Sequence, residues 1–439
     1  MSVPLIYSPH SSPRITYVVD LIFRQFLRCP YQLHHHPAEW TDDQVPRIQY
    51  GGDQRLAGIH CFIPACGLLQ ETSIDKQFLV IKYDQPWPYS FSKHQEEADF
   101  PFDLFAFVFY LVSRYEEYVP GPRDQHQRFP ARLSVAYQAR FLHLPLVDIW
   151  VQQLYEQLHQ TYPSWSLPKP SYHYLASYDI DMAWSYLHKG FIRQTGAALR
   201  DLTWGEISQL QERFAVFRGK QQDPFDTFDY MDKLNERLQQ QPHYFILIGD
   251  DGPYDKNIAY HQKAFQTLIQ RLDEQYPLGL HPSYQSNEHP NQLGEEKKRL
   301  EQILSRPISH SRQHYLRLNL PKTYRQLLAH EIYDDYSMGY AEEIGFRAST
   351  ARPFYWYDLK AEQMRPLKII PFQVMDVTLQ QYLELSPEQA LEQVEPMIQQ
   401  VKMLGGTFVS LWHNSSFTEK GDWRGWRKVY EDLIEMARE

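Results

Sequence analysis

Apolar residues in the first part of the chain recur in patterns that predict both strands and helices. Residues 62–69 and 77–83 have the composition of strands, and the apolar run at 78–81 predicts a strand buried on both faces. Between Asp103 and Tyr118 the apolar residues are spaced by three and four, which predicts a helix with one buried stripe. A second helix is predicted between Val147 and Thr161.

From Tyr174 onward, apolar runs of strand length alternate with segments of helical period. Strands are predicted from Tyr174, at 244–248, at 278–280 and at 407–411. Before the last strand, Ser386, Pro387 and Gln389 predict the capped start of a helix. This alternation predicts an α/β architecture, either a barrel or a doubly wound sheet.

The best domain boundary lies at residues 163–170, where three prolines in eight residues favour an extended connection. A chain of 439 residues also exceeds what one hydrophobic core usually supports. We therefore expect a smaller α+β domain at residues 1–165 and a second domain at 171–439. Within the second domain, Ser185–Asp223 is predicted to be a helix-prone insertion over the rim of the sheet.

Composition and charge narrow the possible partners. A net charge of −10 and a pI near 6.0 argue against a surface that binds nucleic acid or an anionic membrane. No stretch approaches the roughly 18 uninterrupted apolar residues of a membrane span, and no signal peptide is evident, so a cytoplasmic location is the default expectation. The three cysteines show no CxxC spacing, which indicates neither a disulfide framework nor a cysteine metal site.

Two carboxylates spaced two apart follow the run that starts at Tyr174. Side chains of a strand repeat every second residue, so Asp179 and Asp181 can leave the strand on the same side. Their repulsion has to be relieved by a cation, a shared proton or solvent. The simpler alternative is that Asp181 only caps a following helix.

Histidines end or follow several of the other predicted strands. His281, His314 and His413 occupy such positions, and parallel α/β folds assemble their sites at the carboxyl ends of strands. One carboxylate and two imidazoles suit zinc or a similar divalent ion with open coordination positions. Each histidine taken alone is more often an ordinary hydrogen-bonded residue. The consecutive histidines at 34–36 are interpreted as an exposed strand or loop.

These motifs resemble the polysaccharide deacetylases of the NodB-homology type, carbohydrate esterase family 4. The resemblance covers roughly residues 170–420 and implies a distorted (β/α)7-type barrel. By its first motif, Asp179 is implied as the catalytic base and Asp181 as a metal ligand. By its second motif, His281 is implied as a ligand, but Gln285 stands where the family has another histidine, so His314 is taken as the substitute.

The remaining motifs of that family imply the other site residues. Gly345–Ala348 is similar to its third motif, which implies that Arg347 orients Asp179. The strand that ends at His413 looks like its final motif, which implies that His413 is the general acid. Asp376 is a candidate for the acidic partner of His413, and Asp335 is a weaker one.

The resemblance implies a zinc-type, metal-dependent hydrolase that removes acetyl groups from a carbohydrate. Trp184, Tyr284 and Trp356 could stack on sugar rings or could simply be packed. Two alternatives remain open. The protein could be a catalytically silent carbohydrate-binding or assembly protein, or a metal-dependent hydrolase of a non-sugar amide.

Overall fold

The first part of the chain contains a small parallel sheet. In the computed structural model, residues 3–36, 45–190 and 207–438 are described. The small sheet has four strands in the order β2-β1-β3-β4. The strands are Leu5–Tyr7 (β1), Gln32–His34 (β2), Arg47–Tyr50 (β3) and Cys61–Ile63 (β4).

A larger sheet of nine strands occupies the second part of the chain. Its order is β10-β11-β9-β8-β7-β6-β5-β13-β12, and every pair is parallel except β10 with β11. The strands are Tyr172–Ile180 (β5), His243–Leu247 (β6), Leu278–His281 (β7), His310–Ser311 (β8), Asp334–Asp335 (β9), Phe354–Asp358 (β10), Gln363–Ile369 (β11), Val374–Met375 (β12) and Gly406–His413 (β13).

Helices surround both sheets. They are Pro13–Val19 (α1, continued by a π-helical segment Asp20–Phe26), Leu104–Val112 (α2), Tyr115–Tyr118 (α3), Val135–Gln138 (α4), Leu146–Thr161 (α5), Ile207–Phe217 (α6), Phe228–Leu238 (α7), Lys263–Asp273 (α8), Pro290–Leu304 (α9), Lys322–Ala329 (α10), Pro387–Leu404 (α11) and Trp426–Ala437 (α12). Of the predicted insertion Ser185–Asp223, residues 191–206 lie outside the described residues.

The predicted α/β class is confirmed, with strands and helices alternating along a mostly parallel sheet. A closed barrel is not seen, because in the described ranges no hydrogen-bonded pair joins the edge strands β10 and β12. The antiparallel strand β10 forms one edge instead. The division into residues 1–165 and 171–439 stays a prediction.

The strand prediction for residues 77–83 is wrong. This segment is extended but belongs to neither sheet, and Phe78 and Val80 are 84% and 70% exposed. The prediction for 62–69 holds only at its start, since β4 ends at Ile63. An apolar run becomes a buried strand only where a neighbouring strand pairs with it, and at 77–83 neither sheet supplies one.

The two parts of the chain are joined by buried ion pairs as well as by apolar packing. Glu117 of α3 bonds Arg347, which follows β9, and Arg14 of α1 bonds Glu362, which precedes β11. Arg14, Arg347 and Glu117 are almost fully buried. One continuous hydrophobic core also includes residues of both parts. The first part of the chain therefore packs against the larger sheet through both polar and apolar contacts.

Local sequence explains how the last strand reaches its position. Ser386 and Gln389 form the predicted capping box at the start of α11. After the helix, Gly405 adopts a φ of 66°, and a Cβ there would lie 2.4 Å from Cβ of Pro170. Only glycine fits this close approach, which brings β13 alongside β5. In the resulting register, His413 lies opposite Asp179.

Candidate metal and catalytic site

Side chains from four parallel strands converge at one edge of the larger sheet. Asp179 and Asp181 lie at the carboxyl end of β5, and His281 ends β7. His314 follows β8, and His413 ends β13. The structure brings these five side chains together as the strand order requires, because the carboxyl ends of parallel strands meet at the same edge.

The carboxylate of Asp181 faces three imidazole nitrogens. Its Oδ1 lies 3.1 Å from Nε2 of His281, and its Oδ2 lies 3.5 Å from Nε2 of His314 and 3.7 Å from Nε2 of His413. Ligand atoms of Asp181, His281 and His314 all lie within 4.8 Å of one another. This group can hold a metal ion, and it consists of the three residues predicted as ligands.

Hydrogen bonding on the far side of His281 determines which nitrogen faces the site. Nδ1 lies 2.6 Å from the carbonyl oxygen of Arg312, which can only accept a hydrogen bond, so Nδ1 carries the proton. In the neutral ring, Nε2 then directs a lone pair at Asp181 and, at 3.7 Å, at Oδ2 of Asp179. Lone pairs that converge in this way fit a cation placed between them.

His314 is oriented by a second carboxylate. Its Nδ1 lies 2.8 Å from Oδ1 of Asp255, a buried residue in the loop after β6. Burial lowers the pKa of His314, but Asp181 and Asp255 outweigh burial and raise it to about 9. A metal ion has to displace the proton from Nε2, so ion binding at this site would release a proton.

Asp181 has the properties of a metal ligand. Its Oδ1 is buried and makes no hydrogen bond of acceptable geometry. Burial raises the pKa of Asp181, but the charges of His314 and His413 outweigh burial and hold the pKa well below its usual range. The carboxylate is therefore charged, and two imidazoles and one carboxylate form a donor set that suits zinc.

Arg312 holds Asp179 in place. Its Nη1 donates to Oδ1 of Asp179 at 2.8 Å, and its Nη2 donates to Oγ of Ser177 at 2.8 Å. Its Nε donates to the carbonyl oxygen of Tyr336 at 3.0 Å, so the guanidinium is fully oriented. Asp179 is 2% exposed, and its other oxygen, Oδ2, accepts no hydrogen bond from the described residues and lies 3.7 Å from Nε2 of His281.

The prediction that Arg347 orients Asp179 is wrong. Arg347 donates to both carboxylate oxygens of Glu117 and to the carbonyl oxygen of Gly339. It lies in the buried contact between the two parts of the chain, and the arginine that donates to Asp179 is Arg312. Glu117 lies more than two hundred residues before Arg347, so nothing local in the sequence marks this pairing.

His413 is paired with Asp376, the stronger of the two predicted candidates. Oδ1 of Asp376 lies 2.8 Å from Nδ1 of His413, and Oδ2 accepts a hydrogen bond from the backbone N–H of His413. Burial lowers the pKa of His413, but Asp376 and Asp181 raise it to about 10. Asp335 instead accepts hydrogen bonds from Ser337 and Ser311 and does not contact His413.

A cavity of about 370 Å³ opens above these groups. Polar groups and aromatic rings share its wall. Its lining includes Arg128, Asp179, Asp181, Tyr254, Lys256, His281, Gln313, His314, Tyr315, Gln381, Tyr382 and His413. Arg128 comes from the first part of the chain and donates to the carbonyl oxygen of Tyr315 at 3.0 Å. The first part of the chain therefore contributes to the cavity wall, which the sequence did not indicate.

The residues predicted to stack on sugar rings do not line this cavity. Trp356 is 2% exposed, and its Nε1 donates to the hydroxyl of Tyr118 within the core. Trp184 is 7% exposed and packs edge-on against Phe265. Tyr284 stacks on Tyr254 with ring centroids 4.2 Å apart, and only Tyr254 reaches the cavity. Trp184 and Trp356 are packed residues.

Sequence reasoning missed two partners of the site residues, Arg312 and Asp255. Arg312 directly follows β8, which is a signal that could have singled it out, whereas Asp255 lies further along in the loop after β6. Both are buried charges, and buried charges in proteins are paired. The sequence does not indicate which pairs they form.

Comparisons with known proteins give a family match over part of the chain and a distant similarity to solved structures. A family of unknown function, DUF7033, matches residues 4–163, which contain none of the residues surrounding Asp181. A search of curated proteins finds no match. Similarities of this kind do not identify a function for the chain.

Two solved structures show a distant similarity. A protein from Mycobacterium smegmatis, assigned as a polysaccharide deacetylase, has a TM-score of 0.41 and 12% identity over 62% of this chain and 87% of its own. A polysaccharide deacetylase from Bacillus cereus has a TM-score of 0.26 and 12% identity over 47% of this chain and 79% of its own. Because the identities and TM-scores are so low, a function can be inferred only from the side chains of the site.

None of the helices in the described ranges is both long enough and apolar enough to span a membrane.

Proposed function

We propose that the protein is a divalent-metal-dependent hydrolase that removes acetyl groups from an N- or O-acetylated carbohydrate. The observation that carries the proposal is the charged carboxylate of Asp181 facing the Nε2 atoms of His281 and His314, beside a second carboxylate, Asp179, that keeps one oxygen free. A site with ligands on one side and a proton acceptor on the other is suited to hydrolysis.

Asp181, His281 and His314 would hold the ion. A bound divalent cation, with zinc suited to this donor set, would supply an electrophile for the acyl oxygen and lower the pKa of a bound water. The hydrogen bonds from Nδ1 of His281 to the Arg312 carbonyl and from Nδ1 of His314 to Asp255 support this assignment, because they direct both Nε2 atoms toward Asp181.

Asp179 is proposed as the general base. Arg312 occupies Oδ1, so Oδ2 is the oxygen left to accept a proton from the attacking water. The same hydrogen bond fixes the direction of the carboxylate, which a base needs in order to meet its proton at a constant angle. Arg312 is accordingly a positioning residue that acts through Asp179.

His413 is proposed as the general acid. Asp376 binds Nδ1, so Nε2 is the atom that can donate a proton to the leaving amine or alcohol. Asp376 also stabilises the imidazolium, which matches the pKa of about 10 and keeps a proton available at neutral pH. The proposed base and acid lie opposite each other on the neighbouring strands β5 and β13.

The carbohydrate part of the proposal is supported by the rings of the cavity. Tyr254 and Tyr382 line it and are 43% and 44% exposed. Exposed aromatic faces beside a polar site offer the apolar contact that a sugar ring can use while its hydroxyl groups bind elsewhere. The cavity also contains polar partners such as Lys256 and Gln381.

The test combines metal content with acetate release. The full chain is stripped, reloaded with zinc, iron, cobalt or manganese, and assayed on N- and O-acetylated carbohydrates and on non-sugar acetamides. We expect one ion per chain and release from the carbohydrates. Asp181→Asn is expected to lose both, since it removes the charged ligand.

Asp250→Asn is the matched control, because Asp250 follows β6 but pairs with Arg299 in solvent and does not line the cavity. It should keep both ion and turnover. A wild-type chain that recruits no ion and releases no acetate would favour the silent binding protein. Release of acetate from the non-sugar acetamides alone would favour a metal-dependent hydrolase that acts on a non-sugar amide.

A further inference from the structure

Gln313 lies in the wall of the cavity between two residues of the site. It follows Arg312, which holds Asp179, and precedes His314. The residue is 3% exposed, yet its Nε2 is buried without a hydrogen-bond partner among the described residues. Within the described ranges, Gln313 bonds another side chain only through its backbone N–H, which donates to Oγ of Ser337. A buried amide left unpaired is destabilising.

Two other buried glutamines show what a structural amide looks like in this protein. Gln373 donates to the carbonyl oxygen of Pro371 and accepts from the backbone N–H of Val409. Gln49 donates to the carbonyl oxygens of residues 51 and 54 and accepts from the N–H of residue 56. Both amides are satisfied by the protein at both ends, which Gln313 is not.

The backbone after Gln313 is also strained. Tyr315 and Leu316 have φ values of 57° and 53°, a region that residues other than glycine rarely adopt. Such strain is unfavourable and concentrates at sites that need a particular shape. Two unfavourable features within four residues of the cavity wall, 313–316, indicate a surface built for a ligand.

We propose that Gln313 determines specificity, with its side-chain amide binding an acylamino group of the substrate and so favouring N-acetylated over O-acetylated carbohydrate. The side-chain amide of Gln313 offers N–H donors and a carbonyl acceptor, and an acylamino group offers the complementary carbonyl acceptor and N–H donor. An ester lacks the N–H and can satisfy only one of them. This inference rests on the proposed function and gives it a substrate class.

The test uses Gln313→Met, which keeps the length of the side chain and removes both polar ends. The kcat/KM ratio for an N-acetylated and an O-acetylated form of the same sugar should fall about tenfold, as expected for one neutral hydrogen bond. The melting temperature should stay the same or rise, because no protein partner loses its hydrogen bond. Gln373→Met is the matched control and should lower the melting temperature without changing the ratio.

Two results would overturn the inference: an unchanged substrate ratio in Gln313→Met, or a loss of thermal stability as large as that of Gln373→Met. If the wild type releases no acetate from either sugar, the proposed function fails. The inference is then decided by equilibrium binding of the same two sugars. It survives only if the wild type prefers the N-acetylated sugar and Gln313→Met loses that preference.

Discussion

Two buried arginine–carboxylate pairs lie in different regions of the molecule. In the contact between the two parts of the chain, Arg347 donates to Oε1 and Oε2 of Glu117 at 3.0 and 2.6 Å, and Arg114 donates to Oε1 at 2.8 Å. At the candidate site, Arg312 donates to one of the two carboxylate oxygens of Asp179, Oδ1. The carboxylates are 1% and 2% exposed, so burial does not distinguish them.

The number of free oxygens does distinguish the two pairs. Both oxygens of Glu117 are bound by guanidinium groups, so this carboxylate has no capacity left for a substrate. Oδ2 of Asp179 accepts no hydrogen bond from the described residues, and Asp179 lines the cavity. The first pair stabilises the fold, whereas the second keeps an oxygen that is available to a substrate or a water. A buried charge pair indicates chemistry only when one of its members is left partly unsatisfied.

The largest expected effect comes from Asp179→Asn. The amide nitrogen cannot accept a proton in place of Oδ2, so kcat should fall about 10²- to 10⁴-fold, the usual contribution of a general base. The variant should bind its metal ion with unchanged stoichiometry, because Asp181, His281 and His314 remain. Steady-state kinetics and metal analysis check the two parts. A rate within twofold of wild type would remove the base assignment and with it the contrast between the two pairs.

The equivalent change in the other pair, Glu117→Gln, should act on stability. It leaves Arg347 buried without its counter-charge, while Arg114 keeps only Glu116 as an acidic partner, and breaking a buried ion pair in this way costs about 3–5 kcal/mol. The free energy of unfolding, measured with urea, should fall by that amount, while kcat of the folded protein stays within twofold. A large fall in kcat with unchanged stability would mean that this contact serves the site directly.

The smallest expected effect is the pH dependence of the difference in unfolding free energy between wild type and Glu117→Gln. Burial raises the pKa of Glu117, but Arg347 and Arg114 outweigh burial and lower it to about 2. A carboxyl with a lowered folded-state pKa stabilises above its ordinary pKa, near 4.3 to 4.5, and loses this contribution as the pH falls toward about 2. The lost contribution is on the order of 3 kcal/mol.

Urea unfolding at several pH values between 7 and 3 measures this loss in wild type and Glu117→Gln. The stability gap between the two should shrink below about pH 4.5, because the carboxyl of Glu117 takes up a proton in the unfolded chain while it stays charged in the folded protein. A gap that stays constant down to pH 3 would mean that folding does not lower the pKa of Glu117.

Strand ends were the most predictable feature of the site. The apolar runs that become β5, β6, β7 and β13 end within a residue or two of their predicted ends, and polar residues follow each one. Those polar residues include Asp181, His281 and His413. In a parallel sheet such ends share one edge whatever the order of the strands, so local pattern was enough to group them.

Partner choice was much less predictable. Arg347 and Arg312 both lie in the second part of the chain, and only the folded structure directs one to Glu117 and the other to Asp179. The same holds for Asp376 and Asp335, of which only Asp376 reaches His413. If the order of two neighbouring strands is predicted wrongly, the wrong partner is assigned. The spacing of residues along the sequence does not indicate which strands are neighbours.

The sequence by itself determined the α/β class and which residues stand at the ends of the parallel strands, because hydrophobic periodicity and helix capping act within a few residues. Only the tertiary structure decided which carboxylate keeps a free oxygen, which arginine holds Asp179, and that residues such as Arg128 from the first part of the chain border the cavity. Those outcomes depend on contacts between segments more than a hundred residues apart. They are selected by the packing of the whole chain, since a buried charge takes whichever partner the fold brings within hydrogen-bonding distance.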